Sequence, residues 1–387
     1  MRVLVTGGAG FIGSHTVDLL LTQGVEVRVL DSLTEPVHQE GVLPEYVPRQ
    51  VEFLRGDVRE ANAWCTALAD MDAVIHLAAY QDYLTDFSKF FHVNTVGTAL
   101  LYETIVQRKL PIQKIVVASS QATYGEGKYL CRAHDADTAS SNGYANVRGK
   151  IFYPPLRPEA QLRARDWNVH CPECGAVMEW VVTDEAHVNP HNQYAMSKYT
   201  QEMVALNFGR RYNIPTTCMR YSIVQGMRQS FRNAYSGILR TFTQRLLSGN
   251  APVCYEDGMQ VRDYVYVGDV ARANVLVLRD ARADFQVFNV GGERAVTVLE
   301  YANMLAEKIN PHIVPSVPGL YRFGDTRHIV SDVSKLKALG WTPTKTVNEI
   351  AEEYIAWAGA QPDLRDYYAA AEEGMLARGT LRHAAPQ

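Results

Sequence analysis

The chain has 387 residues, 47% of them apolar and 21% charged, and a net charge of −4. That composition fits a soluble globular protein long enough for two or three lobes, and it offers no basic footprint for nucleic acid. No run of 18 apolar residues suits a membrane span, no signal peptide precedes the first strand, and six cysteines without a secretory signal point to reduced thiols in the cytoplasm.

The first fourteen residues read MRVLVTGGAGFIGS. An apolar strand at Val3–Val5 runs into Gly7, Gly10 and Gly13, and a helix pattern follows over Ile12–Gln23. This order is the context that makes a glycine motif a dinucleotide site. Gly7 allows the tight turn, Gly10 lets backbone N–H groups approach a pyrophosphate, and Gly13 lets helix and strand pack closely. The next strand, Val25–Leu30, ends in Asp31. An acid there bonds a ribose 2′-hydroxyl and repels a 2′-phosphate, so NAD is expected rather than NADP.

Further strands fit Val51–Leu54, Ala73–Leu77 and Lys114–Ala118, with helices over Glu60–Ala69 and Asn94–Arg108. This alternation predicts an α/β fold, a doubly wound parallel sheet covered on both faces. Asp57, Leu77, Ala78 and Ala79 follow strand ends, where such sheets bind ligands. Periodicity breaks after Gly125. A polar stretch to about Asn189 is rich in Pro, Arg and His. Regular structure resumes with a helix over Gln193–Arg211 and a strand over Thr216–Tyr221. Then come a helix near Tyr235–Leu247, a segment at Arg262–Val267, and helices over Asp269–Arg279, Val298–Ile309, Ser334–Leu339 and Val347–Ala358. Asp363–Gln387 is alanine-rich and reads as a frayed helix with a loose tail.

Two segments carry chemistry. Ser119 and Ser120 close a strand. Tyr194 and Lys198 stand four apart on a helix and share a face. A nearby ammonium favours a phenolate, so the Tyr194 pKa is expected below its usual value of about 10. With a nicotinamide above, hydroxyl, phenol and ammonium suit proton removal from an alcohol as hydride leaves its carbon.

These segments resemble the extended short-chain dehydrogenase/reductase family, in particular its NAD-dependent nucleotide-sugar epimerases and dehydratases. The resemblance rests on TGGAGFIGS, HLAA at His76–Ala79, VNTVGT, SSQATYG, YAMSK, RYSIVQG, RDYVYVGD and RFGDTRHIVSD. It implies a Rossmann fold with a smaller C-terminal substrate lobe. It also implies catalytic Ser120, Tyr194 and Lys198. The cofactor would lie against Gly7, Gly10, Phe11, Ile12, Gly13, Asp31, Asp57, Val58, Leu77, Ala78, Ala79, Asn94, Tyr194, Lys198 and Tyr221. Arg262 would pair with a diphosphate, Arg322 and Asp325 would hold phosphate and ribose, and Gln81 and Tyr83 would touch the sugar. The partner would be a nucleotide-diphosphate sugar, and the assembly a homodimer through helices such as Asn94–Arg108 and Gln193–Arg211.

Dehydratases and sugar-acid decarboxylases of this family carry acidic or basic side chains after the catalytic Ser/Thr. Gln121 and Ala122 stand there instead. The expected reaction is therefore 4-epimerisation by transient oxidation at C4, on a dTDP-6-deoxyhexose or a UDP-hexose. The rivals are a dehydrogenase or reductase that releases NAD(H), a 4,6-dehydratase, and a non-enzymatic NAD-binding module. The expected organisation is a Rossmann core over 1–127 and 190–230, an insert over 128–189, a substrate lobe over 231–362 and a tail over 363–387. The insert departs from the family. It carries Cys131, His134, Cys171 and Cys174, and CPECG is shaped like a zinc knuckle. Four N/S ligands suit a closed structural zinc site; a redox CxxC pair and free thiols are the other readings.

Overall fold

The computed structural model describes residues 1–82, 84–134, 137–138, 147–233, 237–292 and 294–386. Seven parallel strands form the main sheet. Their spatial order is Gln286–Val290, Thr216–Tyr221, Lys114–Ser120, Ala73–His76, Arg2–Thr6, Glu26–Asp31 and Glu52–Arg55. Six of the strands fall on the expected runs, and the five inner ones are mostly apolar because they are covered on both faces. The chain order reverses between Arg2–Thr6 and Ala73–His76, which opens a ligand crevice at their C-terminal ends. Strand register sets Tyr221 beside Ser120 and Thr6 beside His76 at that edge. The seventh strand, Gln286–Val290, lies at the edge of the sheet beside Thr216–Tyr221 and is absent from the expected elements.

Helices cover both faces. Phe11–Thr22 and Val267–Arg279 pack together on one, and Ala61–Ala67, Gly97–Arg108 and Gln193–Arg211 cover the other. A wider turn of helix at Phe91–Val96 precedes Gly97, so the expected helix from Asn94 starts as a π-helical segment. A second core joins Ile238–Leu247, Val298–Ile309 and Val347–Gly359 around Tyr264 and Tyr301, which stack at 4.6 Å. The helix expected from Tyr235 begins at Ile238; Tyr235 lies outside the described residues.

The insert is more ordered than its polar composition implies. Glu179–Val181, Lys128–Cys131 and Lys150–Phe152 form an antiparallel sheet in that spatial order. It has a small core of Tyr129, Cys131, Val169, Cys171 and Met178. Arg157 locks the insert to the rest of the chain. Its guanidinium donates to Glu126 at 3.0 Å, to both oxygens of Glu256 at 2.9 Å, and to the carbonyls of Trp167 and Asp325. Arg327 binds the same Glu256, and its backbone N–H donates to Glu126 at 2.7 Å. Buried charges persist only when paired in this way.

The tail is not loose. Tyr368–Ala377 is a helix, and Leu381–His383 pairs antiparallel with Leu320–Arg322. Alanine content gave the helix, but the strand is held by tertiary burial of Leu381 and Met375 on Leu320.

Candidate active site

A cavity of about 640 Å³ follows the C-terminal edge of the main sheet. One arm is the glycine cradle. A Cβ on Gly7 would stand 2.8 Å from the Ala78 nitrogen, and one on Gly13 would stand 2.0 Å from the Gly7 oxygen. Both contacts are below any tolerated separation, so the turn requires glycine. Gly10 caps the helix Phe11–Thr22 without a side-chain hydrogen bond. The unpaired N–H groups of the first turn therefore remain for an anion. Asp31 accepts N–H bonds from Ala9 and Leu33 at 3.0 Å each, which fixes its carboxylate while each oxygen keeps a further lone pair. Burial lowers the neighbouring His38 below its ordinary pKa, so that ring adds little charge beside Asp31. Asp57 is held in a fork by Arg59 at 2.6 to 3.0 Å. These residues, with Val58, Leu77, Ala78, Ala79 and Tyr221, line one continuous surface. The donor set and cradle fit a dinucleotide.

Asn94 departs from its expected place. It is fully buried and does not line the cavity. Its amide clamps both backbone groups of Tyr80, at 2.8 and 3.0 Å, and donates to Ser197 at 2.9 Å. It ties the loop after Ala73–His76 to the helix Gln193–Arg211.

That helix carries Tyr194 and Lys198. The Asn192 side chain caps it, accepting from the Ala195 N–H at 2.8 Å. Tyr194 hydrogen-bonds the Ser120 hydroxyl, and Ser120 is itself fixed by the Ala122 N–H at 3.1 Å. Lys198 donates to Gln201 Oε1 at 2.5 Å. From Gln201 a buried chain runs through Thr98 and His76 to Thr6, whose hydroxyl accepts the Ala78 N–H. Glu202, one further turn along, accepts from Ser119 at 3.0 Å and pairs with Arg220 at 2.5 Å. The four-residue spacing of Tyr194, Lys198 and Glu202 was a signal for this third member.

The expected fall in the Tyr194 pKa is reversed. Burial pushes the phenol up to about 12, with the Ser120 bond opposing it. Burial also pulls Lys198 down to about 7. The cause is that both groups lie in the interior, where each charged form is penalised. Lys198 also directs its short hydrogen bond to Gln201 rather than to the phenol.

The second arm runs toward the smaller lobe. Arg322 donates to Asp325 at 2.7 Å and stands over the Tyr255 ring at 5.1 Å. Arg262 lines the cavity, but its guanidinium donates to the carbonyls of Val261, Thr326 and Arg327. It thus holds the loop that bears Arg322 and Asp325. Gln81 lines the cavity; Tyr83 lies outside the described residues. Gln121 and Ala122 also line it, next to Ser120. Gln121 Oε1 is buried with no hydrogen-bond partner among the described residues. Sequence reasoning used Gln121 to exclude chemistry and overlooked it as an acceptor.

In the insert, one donor atom from each of Cys131, His134, Cys171 and Cys174 falls within 4.8 Å of the other three. Cys131 and Cys174 sulfurs are 3.6 Å apart, and His134 Nε2 is 3.3 Å from the Cys171 sulfur. The knuckle turn is closed by Gly175 N–H to the Cys171 carbonyl at 2.9 Å. Tetrahedral zinc with Zn–S bonds of about 2.3 Å sets sulfurs roughly 3.8 Å apart, so the donor set fits.

A Rossmann sheet with a glycine cradle and a Tyr-Ser-Lys centre defines a nicotinamide-dependent enzyme class. Residues 3–148 and 174–291 match the NAD dependent epimerase/dehydratase family, and the chain belongs to it. The gap between the two matched stretches falls within the insert. A dTDP-L-rhamnose 4-epimerase of Burkholderia thailandensis is 32% identical over 371 residues, 94% of this chain and 97% of that protein. A putative UDP-glucose 4-epimerase of Methanocaldococcus jannaschii is 30% identical, covering 92% and 97%. The solved UDP-glucose 4-epimerase of Thermotoga maritima, with UDP-glucose, is 29% identical with a TM-score of 0.71, covering 92% of this chain and 98% of that one. That of Thermus thermophilus, in complex with NAD, is 30% identical with a TM-score of 0.68, covering 93% and 100%. Among the described residues no helix is long and apolar enough to cross a membrane.

The cradle yields a direct expectation. Gly13→Ala places a methyl against the Gly7 carbonyl and closes the pyrophosphate seat. Acid release from the purified variant should give at least tenfold less NAD than wild type; equal NAD content would refute the assignment.

Proposed function

We propose that the protein is an NAD-dependent nucleotide-sugar 4-epimerase. The observation that carries this reading is the Tyr194–Ser120 hydrogen bond in the wall of the cavity, with no carboxylate at positions 121 and 122. Tyr194 Oη takes the proton of the sugar 4-hydroxyl. Ser120 Oγ hydrogen-bonds the same oxygen and relays the proton. Lys198 Nζ holds the ribose next to the nicotinamide. Bound NAD supplies the hydride acceptor and the returning hydride, and its oxidised ring adds a positive charge that favours the Tyr194 phenolate. Arg322 and Asp325 grip the nucleotide end while the sugar turns and presents its other face. Tyr194 then returns the proton.

The family relatives named for dTDP-L-rhamnose and UDP-glucose support a dTDP-6-deoxyhexose or a UDP-hexose as substrate. Gln121 and Ala122 disfavour dehydration, which needs an acid and a base at C5 and C6. A net change in nicotinamide absorbance during turnover would instead mark a reductase. Incubation with dTDP- and UDP-sugars, followed by NMR, should show inversion at C4. Tyr194→Phe should lower kcat by about 10²–10⁴-fold while bound NAD is retained. In wild type kcat/KM should rise with pH, because burial keeps the phenol protonated and only the phenolate is a base. Unchanged turnover in the phenylalanine variant would defeat the mechanism.

We assign a structural zinc to Cys131, His134, Cys171 and Cys174. It staples a segment whose own core is only a few side chains. Metal analysis should find about one zinc per chain in wild type and a large loss in Cys171→Ser/Cys174→Ser. Metal-free wild type with an intact fold would remove the assignment. The free cysteines and a thiolate metal site suit a reducing cytoplasm.

The assembly is a homodimer through Gly97–Arg108 and Gln193–Arg211. These helices pack side by side. Val96, Met196 and Met203 remain 44%, 41% and 53% exposed on that surface. Met196 and Met203 stand seven apart and share a stripe. Sedimentation equilibrium should give twice the chain mass, and Met203→Glu should shift it toward one; a monomeric wild type would contradict the dimer.

A further inference from the structure

We infer that the C-terminal helix Tyr368–Ala377 forms one wall of the nucleobase subsite and helps decide which nucleotide the enzyme accepts. This rests on the nucleotide-sugar reading above. The cavity is lined by the glycine cradle, by Tyr194 and by residues of the smaller lobe. The glycine cradle is fitted to the dinucleotide, so the sugar donor must occupy the rest. Arg322 and Asp325, which suit phosphate and ribose, line the cavity on its smaller-lobe side. What lies beyond them must receive the base. There the lining includes Val253 and Tyr255 from the smaller lobe, and Tyr368, Ala371 and Met375 from the helix.

This wall is built, not incidental. Residues 368, 371 and 375 recur at three and four, so one helix face is turned to the cavity. The helix is tied down at both ends. Tyr368 donates to Glu372 at 2.8 Å, lies 3.3 Å from the Tyr255 hydroxyl, and carries Arg245 over its ring at 4.5 Å. Met375 packs with Leu320 and Leu381 in a small buried cluster. The strand that follows pairs Leu381 with Arg322. The same tail therefore fixes Arg322, and its helix shapes the space next to it. Arg322 in turn stands over Tyr255. An aromatic ring, a thioether and an alanine make a flat apolar slot, the chemistry that takes a pyrimidine base. Ala371 is half-buried on the cavity side of the helix, so a larger side chain there projects into the slot without entering the core.

The test is binding, not turnover. UDP and dTDP are titrated calorimetrically into NAD-loaded wild type and into Ala371→Trp, with bound NAD measured on the same samples. The expected result is a Kd at least tenfold weaker for both nucleotides in the variant, with NAD content unchanged. A Kd within twofold of wild type would overturn the inference and leave the epimerase reading standing. Failure of wild type itself to bind either nucleotide would overturn both. Should the tryptophan variant lose its NAD, Ala371→Leu, a smaller plug, decides by the same criteria. Met375→Ala, which widens the slot, is expected to change the ratio of UDP to dTDP affinity, since the two bases differ by a methyl group.

Discussion

The buried ammonium of Lys198 is the constraint around which the site is arranged. It is 1% exposed on a helix packed against the sheet. An unpaired charge there would cost several kcal/mol. The fold answers with Gln201 at 2.5 Å and a hydrogen-bonded chain that ends on the Ala78 N–H. Beyond Gln201, which shares the helix of Lys198, each member comes from another element: Thr98 on Gly97–Arg108, His76 and Thr6 on adjacent strands. His76 must be neutral to take part, and burial lowers its pKa to about 3. The chain therefore couples the position of the lysine to the wall on which the cofactor lies. A parallel chain from Glu202 to Ser119 and Arg220 does the same for the strand end that carries Ser120.

Three segments far apart in sequence converge on the loop bearing Arg322 and Asp325. Arg157 from the insert holds the Asp325 carbonyl. Arg262 from the smaller lobe holds the carbonyls of Thr326 and Arg327. The tail strand pairs with Leu320–Arg322. Thr183 of the insert also exchanges backbone bonds with Val330 and Asp332. A loop with its own sequence preferences would be mobile. Here its backbone groups are satisfied from three sides, so Arg322 and Asp325 are held in place in the cavity wall. The insert thus contacts this loop directly, although its Cys/His cluster stands apart from it.

The glycine cradle, the apolar strands and the Tyr-Lys pair were legible because each is a local pattern with one physical cause. Gly7 and Gly13 answer to backbone proximity, and the strands answer to two-sided burial. The direction of the Tyr194 pKa was not legible. It depends on burial, which the spacing of tyrosine and lysine does not encode. Asn94 was read as a cofactor residue from its motif, but its amide serves the backbone of Tyr80, a contact set by tertiary placement. The tail strand escaped notice for the same reason. Leu381–His383 is three residues long and has no periodicity; only its partner makes it a strand. Arg262 was legible as a cation at the cavity, while two of the three carbonyls that engage it, those of Thr326 and Arg327, come from a loop more than sixty residues away.

The division of labour along the cavity is what the chemistry of epimerisation requires. Inverting one carbon with one bound nicotinamide means that a single ring must serve both faces of the sugar. The sugar must turn, and it must not leave. A site that gripped the hexose by many hydrogen bonds would stabilise one face and slow the turn. Among the cavity-lining residues of the main sheet and catalytic helix, Ser120, Tyr194, Gln81, Gln121 and Asn192 offer neutral polar groups. The strong, charged and aromatic contacts lie at the other end, with Arg322, Asp325 and Tyr255 on a loop and lobe held from three sides. In the proposed mechanism, charge concentrated in the smaller lobe would anchor the nucleotide without choosing between the two sugar faces, and neutral groups beside Tyr194 would leave both within reach of one phenol.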